Sequence, residues 1–439
     1  MRKVKKSQKS KVKVVREKGE SKMTGQALLN AIAKDIETAA EEVGCQPGEL
    51  TVAQYNKAGG YFREWQMRKA GGGFNAIKKV FFEKDLPKDR ATIGEVKDLR
   101  KQYLATERAL DSREMFLSRL DGIMQNIKPI KVVPYKPKDS YKPTARVVNL
   151  LLSDLHFGSD LDARETGVNW GKIEEARCFA HIVKNVCSYK LQYRSETKLC
   201  ASIAGDVIEN NLHGGSSAAP LHEQVCRAIH LLSQGIARFS ENFPEVEIYY
   251  AVGNHGRDTS VHTHGRATAQ KWNAMETTIY YAVKKACGHL PNVKFFQPLT
   301  PWVTYDALGH KVYVTHGDTN LAIGNPGNTI SIKSIDTQIN RLNSSLVDDQ
   351  KYEVFAIGHV HLALSTQLPS GAHLFMNGPL VPPNSFAQTF GIMKSPQNQV
   401  MWETTKGFAV GDQRFINASG AEEDASLDSI IQPFSEIDV

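Results

Sequence analysis

Five apolar runs in the second part of the chain each end in a short polar cluster, and this constrains the fold more than any other feature of the sequence. The runs are Val147–Leu152, Leu199–Ala204, Val246–Val252, Lys311–Thr315 and Tyr352–Ile357. The clusters that follow are SDLH at 153–156, GD at 205–206, GNH at 253–255, THGD at 315–318 and GHVH at 358–361. Amphipathic helices are expected between the runs, around Ile173–Tyr189, His222–Phe239, Thr268–Ala286 and Ile330–Leu346. Strand alternating with helix predicts an α/β two-sheet sandwich flanked by helices. In such sheets the carboxyl ends of the strands line the ligand crevice, so the five clusters are expected to form one site.

The clusters supply oxygen from Asp and Asn and nitrogen from His, and no Cys takes part. That set suits Mn, Fe(II) or Zn better than calcium, which takes oxygen throughout. Asp154, His156, Asp206, Asn254, His316, His359 and His361 are too many ligands for one tetrahedral ion and suit two divalent cations sharing a carboxylate. Mn is the first expectation, with Zn, Fe or Mg as alternatives. Alternation along a strand would send both ends of DxH, and of HxH, to one side. Gly205, Gly253, Gly317 and Gly358 would let the backbone turn at the strand ends.

The ordered motifs resemble those of the calcineurin-like metallophosphoesterase superfamily: DxH, GDxxD, GNH(D/E), a lone His and GHxH, over residues 147 to about 365. The resemblance implies that Asp154, His156, Asp206 and His361 bind one metal and Asp206, Asn254, His316 and His359 the other, with Asp206 as the bridge. It implies His255 as general acid, a task suited to a pKa of about 6.5. Two departures stand out: Gly256 occupies the acidic position of motif three, and Glu209 stands where motif two commonly has aspartate. Together with the absence of GDxVDRG and GNHE, they argue against the protein serine/threonine phosphatase branch. Arg257 and His213 are candidates for binding substrate, and Asp318 for supporting a ligand. His262, His264 and Arg266 could meet phosphate or solvent.

Charge is divided unevenly. Residues 1–150 hold 32 Lys+Arg against 18 Asp+Glu, a net +14 that leaves −7 for residues 151–439. The expected organisation is a disordered basic arm at 1–24, a helical nucleic-acid-binding module at 25–128, a Pro/Lys linker at 129–145, the metallophosphoesterase domain at 146–417 and a flexible acidic tail at 418–439. Within the module, Ala27–Val43 has helical spacing, and 50–82 divides into short helices at Gly59-Gly60 and Gly71-Gly72-Gly73. That stretch, with Phe74-Asn75 after a glycine, resembles the DNA-binding repeat associated with homing endonucleases. A near-heptad pattern over 96–127 predicts a long helix that packs on its own module or pairs with another chain. MNGPLVPPNSFAQTFG with the later QNQV resembles calcineurin-like phosphoesterases of bacteriophages.

The expected function is therefore metal-dependent hydrolysis of phosphodiesters in nucleic acid, with DNA the expected partner because lysine-rich surfaces gain affinity by releasing counterions. A phosphatase or phosphodiesterase of small phosphoesters, and a non-catalytic DNA-binding subunit, are the alternatives. The six cysteines are scattered, without a CxxC pair, and suit a core role. No apolar run is long enough to span a membrane, which predicts a cytoplasmic protein, in the host cytoplasm if phage-encoded.

Overall fold

The computed structural model describes residues 25–60, 62, 67, 73–82, 118–136, 145–189, 191–210, 218–257, 273–321, 324 and 330–435. The basic arm, most of the 96–127 helix, His213, His262, His264 and Arg266 lie outside them. The chain divides into two compact units, one ending at Arg119 and the other beginning at Leu120.

The first unit is helical where described. Helix Gly25–Val43 buries Leu29, Ile32, Ile36, Ala39 and Ala40, the stripe that 3.6 residues per turn places on one face. Helix Val52–Lys57 starts at a capping box in which Thr51 Oγ accepts from the Gln54 N–H and the Gln54 side chain accepts from the Thr51 N–H. Helix Phe74–Phe81 adds Phe74 and Ile77 to a core around Tyr55.

The second unit holds two sheets. The first has the order β11-β10-β1-β2-β3-β4, with β1 (Arg146–Leu152), β2 (Thr197–Ala204), β3 (Glu245–Ala251) and β4 (Val293–Phe296) parallel. Antiparallel β10 (Asn398–Thr405) and β11 (Gln413–Asn417) complete one edge. The second sheet has the order β5-β6-β7-β9-β8. Its strands are β5 (Trp302–Ala307), β6 (His310–Thr315), β7 (Val354–Ile357), β8 (Leu364–Gln367) and β9 (His373–Met376), with β6, β7 and β9 parallel.

Period-two alternation assigns the faces of the first sheet. Val148, Leu150 and Leu152 of β1 join the layer under helices Lys172–Cys187, Leu221–Asn242 and Met275–Cys287. Val147 and Leu151 point the other way and meet Val303, Val312, Val314, Val354, Ala356 and Phe375 of the second sheet. Helix Ile332–Asn343 covers the far side of the second sheet with Ile335 and Ile339. The second unit is the two-sheet α/β sandwich expected, with helices on its outer faces.

Two segments differ from expectation. Residues 418–435 are a docked strap and not a flexible tail. Ala418, Leu427 and Ile431 are fully buried in the helical layer. Asp428 pairs bidentately with Arg177, at 2.9 and 3.0 Å, and Arg238 Nε donates to the Ile430 carbonyl. The acidic composition concealed apolar positions at 427, 431 and 434. The start of the expected linker also belongs to the second unit: the Ile130 and Tyr135 N–H groups donate to the Ala286 and Ser240 carbonyls. Among the described residues, no helix is long and apolar enough to cross a membrane.

Candidate metal centre

Parallel strands β1, β2 and β3 of one sheet, and β6 and β7 of the other, end at one place. Asp154, His156, Asp206, Asn254, His316, His359 and His361 all lie just beyond these ends. Asp154 (φ 52°), His156 (46°), Asp206 (49°), His359 (75°) and His361 (57°) are all in the left-handed region, which costs a non-glycine residue about 1–3 kcal/mol. The strain corrects the expected reason for DxH and HxH. These pairs do not alternate along a strand: β1 ends at Leu152 and β7 at Ile357, and left-handed turns past the strand ends aim the side chains.

The surrounding structure fixes these turns. The Asp154 and His156 N–H groups donate to the Gly205 and Asp206 carbonyls, which laces the first loop to the second. Gln399 accepts from the Ser153 N–H, at 2.9 Å, and donates to the Ser153 and Gly378 carbonyls. Asn377 donates to the Leu151 carbonyl and to the Gln399 side chain. Asn377 and Gln399 belong to the MNGPL and QNQV segments, whose part in the site the sequence left open. Gly253 and Gly358 serve close approach, not turning: a Cβ on Gly253 would overlap Asp206, and one on Gly358 would sit 2.6 Å from Asp154 Oδ2.

The donors fall into two adjoining groups. Asp154, His156 and His361 have ligand atoms within 4.8 Å of one another, and so do Asp206, His316 and His359. In the first group His361 Nε2 lies 3.2 Å from His156 Nε2 and 3.5 Å from Asp154 Oδ1. In the second His316 Nε2 lies 3.0 Å from both Asp206 Oδ2 and Asn254 Oδ1. Asp206 also groups with His156 and His255, which joins the two sets. His359 Nδ1 is buried without a hydrogen-bond partner among the described residues. Lone-pair donors facing one another in a buried space, one of them orphaned, fit divalent cations.

The partners of the other ring nitrogens orient the histidines. His316 Nδ1 lies 2.8 Å from the Ala204 carbonyl, which takes its proton and leaves Nε2 for the centre. His156 Nδ1 lies 2.8 Å from Glu209 Oε2, while Nε2 faces inward. His255 Nδ1 donates to the Glu209 carbonyl at 2.6 Å, which sets its Nε2 4.0 Å from Asp206 Oδ2. Glu209, noted in the sequence only as a departure, thus orients two histidines; Asn384 in turn donates to its Oε1.

Burial opposes a charge on His316, but the Asp206 and Asp154 carboxylates outweigh it and lift its pKa to about 10. Burial and the His316 charge push His359 down to about 4. Burial also opposes charge on His255, and Asp206 and Glu209 outweigh it to raise its pKa above the usual value. Protons and cations therefore compete for these atoms. Asp318, partly buried beside His316, contributes a smaller raising effect to both His316 and His359.

Glu276 was missed in the sequence. It lies twenty residues beyond Gly256, on helix Met275–Cys287, and no local motif marks it. Its fully buried carboxylate accepts from the Val207 N–H at 2.7 Å and the Gly253 N–H at 2.6 Å. Arg257 is partly buried, and its Nε has no hydrogen-bond partner among the described residues.

The sequence matches no family model, and no curated protein matches it. Among solved structures it is similar to the calcineurin-like phosphoesterase YfkN from Bacillus subtilis, at 12% identity and TM-score 0.31 over 66% of this chain and 96% of that one. It is similar to a dimetal phosphatase from Danio rerio, at 11% identity and TM-score 0.28 over 62% and 99%. It is also similar to the phosphopantetheinyl hydrolase PptH from Mycobacterium tuberculosis, at 13% identity and TM-score 0.23 over 54% and 91%. Five motifs in order, brought to one buried point as two joined groups of oxygen and nitrogen donors, resemble the metal centre of the calcineurin-like metallophosphoesterases.

Proposed function

We propose that the chain is a metal-dependent phosphoesterase that hydrolyses phosphodiesters in nucleic acid. The observation that carries the chemistry is the convergence of seven metal-type donors from two sheets, with His255 directly beside them. When bound, two divalent cations supply the Lewis acidity that phosphoryl transfer to water requires, and Mn is the first candidate. The chain's own residues do the rest. Asp206 lies between the donor groups and accepts the His255 N–H at 2.8 Å, so the carboxylate that joins them also places the acid. His255 turns Nε2 toward the centre, where it holds a proton for the departing alkoxide. Arg257, whose buried Nε has no hydrogen-bond partner among the described residues, is the candidate for holding a non-reacting phosphate oxygen.

Nucleic acid is favoured as substrate by the uneven charge: +14 over residues 1–150 against −7 over the rest. A basic segment tethered to an acidic hydrolase adds affinity for a polyanion that a small phosphoester would not use. The test is cleavage of single- and double-stranded DNA by metal-stripped protein with and without Mn(II), beside Asp206→Asn, with bis-p-nitrophenyl phosphate as a small diester. Cleavage of DNA that needs both metal and Asp206 supports the proposal. Hydrolysis of the small diester without cutting of DNA would keep the chemistry and reject the substrate.

A further inference from the structure

The geometry points to Glu276 as the positioning residue of the metal centre, a carboxylate delivered by a helix to hold together the two loops that carry Asp206 and Asn254. The inference rests on the metal-centre reading above and adds a residue that no motif assigns. Val207 follows Asp206 directly, and Gly253 precedes Asn254 directly. One carboxylate accepts from both N–H groups, so a single side chain bridges the backbones beside the two donors, in addition to the His255 N–H bond to Asp206 Oδ1. The loops also touch directly: a Cβ on Gly205 would overlap the Gly253 backbone. Glu276 is fully buried, and both of its oxygens are used on the loops.

The helix that carries Glu276 is fixed at the same end of the site. The Met275 N–H donates to the Gly256 carbonyl at 2.6 Å. One turn on, Tyr280 Oη donates to the Ala251 carbonyl at the end of β3, and its ring stacks on Tyr250 at 4.0 Å. Gly256 explains how the carboxylate reaches the loops, because a Cβ there would collide with Glu276 Cγ and lie 2.8 Å from Cδ. The space a side chain at 256 would fill is already taken by Glu276, so the two positions should exchange: a carboxylate grown from 256 enters the same space once Glu276 is shortened.

This exchange gives the test, made on full-length protein with Mn(II) binding measured by calorimetry in the absence of substrate, alongside thermal melting. Glu276→Ala is expected to weaken Mn(II) binding by about tenfold or more, the usual effect of losing a residue that orients metal ligands. Gly256→Asp alone is expected to weaken binding too, because it collides with Glu276. The double variant Glu276→Ala with Gly256→Asp is expected to bind more tightly than either single variant, and kcat on a small diester is expected to follow Mn(II) affinity while KM changes little. If Glu276→Ala does not fold, Glu276→Gln, which keeps the size but loses one of the two acceptors, must still weaken Mn(II) binding. Wild-type binding by a folded Glu276→Ala or Glu276→Gln protein overturns the inference, as does a folded double variant no better than its parents. Wild-type protein that binds no Mn(II) would instead reject the metal-centre reading itself.

Discussion

Glu209 acts on two histidines through different atoms, its carboxylate at His156 Nδ1 and its main-chain carbonyl at His255 Nδ1. Truncation separates the two functions. On the proposed roles, Glu209→Ala removes the support of His156 as a metal ligand and keeps the carbonyl that sets His255 as the acid, so Mn(II) affinity is expected to fall about 10–100-fold. With Mn(II) raised to saturation, most of the activity should return; a loss that saturation does not relieve would place Glu209 in the chemical step. His255→Asn should show the complementary pattern. Substrates with alkoxide leaving groups, such as dinucleotides, are expected to lose about 10²–10⁴-fold in kcat, since they need a proton. A p-nitrophenolate ester, whose leaving group departs unprotonated, should lose far less, and equal losses for both would remove His255 from the role of acid. These residues differ in how legible they were. The metal-type donors directly follow apolar runs, so burial pattern and residue type gave them away together. Glu276 and Gln399 act on backbone groups of distant segments, and the partner of a backbone N–H leaves no trace in local sequence.

At the scale of elements, legibility followed burial. Strands β1, β2, β3, β6 and β7 are nearly continuous apolar runs because both their faces are covered, and all were expected within a few residues. The remaining strands were not foreseen: β5 alternates buried and exposed residues, β8 is at most half-buried in four residues, and β10, though largely buried, interrupts its apolar residues with Asn398, Gln399, Glu403 and Thr404. Short partly exposed strands depend on their neighbours for pairing, and that information is not local. The 418–435 strap was misread for the related reason that composition was weighed above position. Leu427 and Ile431 lie four apart in a strongly acidic stretch, and both are fully buried. Leu427→Ala is expected to destabilise the second unit by about 2–5 kcal/mol, the range for deleting a buried leucine side chain. Ending the chain at Asn417 should cost more, because it uncovers the helical layer and removes the strap groups that Arg177 and Arg238 bond, Asp428 and the Ile430 carbonyl. A melting temperature unchanged by either alteration would mean that the strap is not docked in solution.

Over the whole molecule, the division of charge makes a prediction that separates affinity from catalysis. Residues 1–119, the first compact unit, hold 26 Lys+Arg and 16 Asp+Glu, whereas the donors of the metal centre all lie in the second. If the first unit and its arm contact the nucleic-acid backbone, each phosphate neutralised contributes about −0.9 to the slope of log K against log salt for duplex DNA. The full-length protein should then bind DNA with a slope steeper than about −4, and a chain beginning at Leu120 should lose most of that slope. Hydrolysis of bis-p-nitrophenyl phosphate should be nearly the same for both chains, because neither the donors nor Glu276 and Gln399 lie in the part removed. Fluorescence anisotropy of a labelled duplex between 50 and 300 mM salt, read beside the small-diester rate, tests both halves. A slope that survives truncation would place the DNA contacts on the second unit, whose net charge is unfavourable, and would shift attention to Arg257 and the rim of the metal centre. A lost slope with an intact small-diester rate would mean that the basic segment sets which phosphoester arrives and the strand ends set what happens to it.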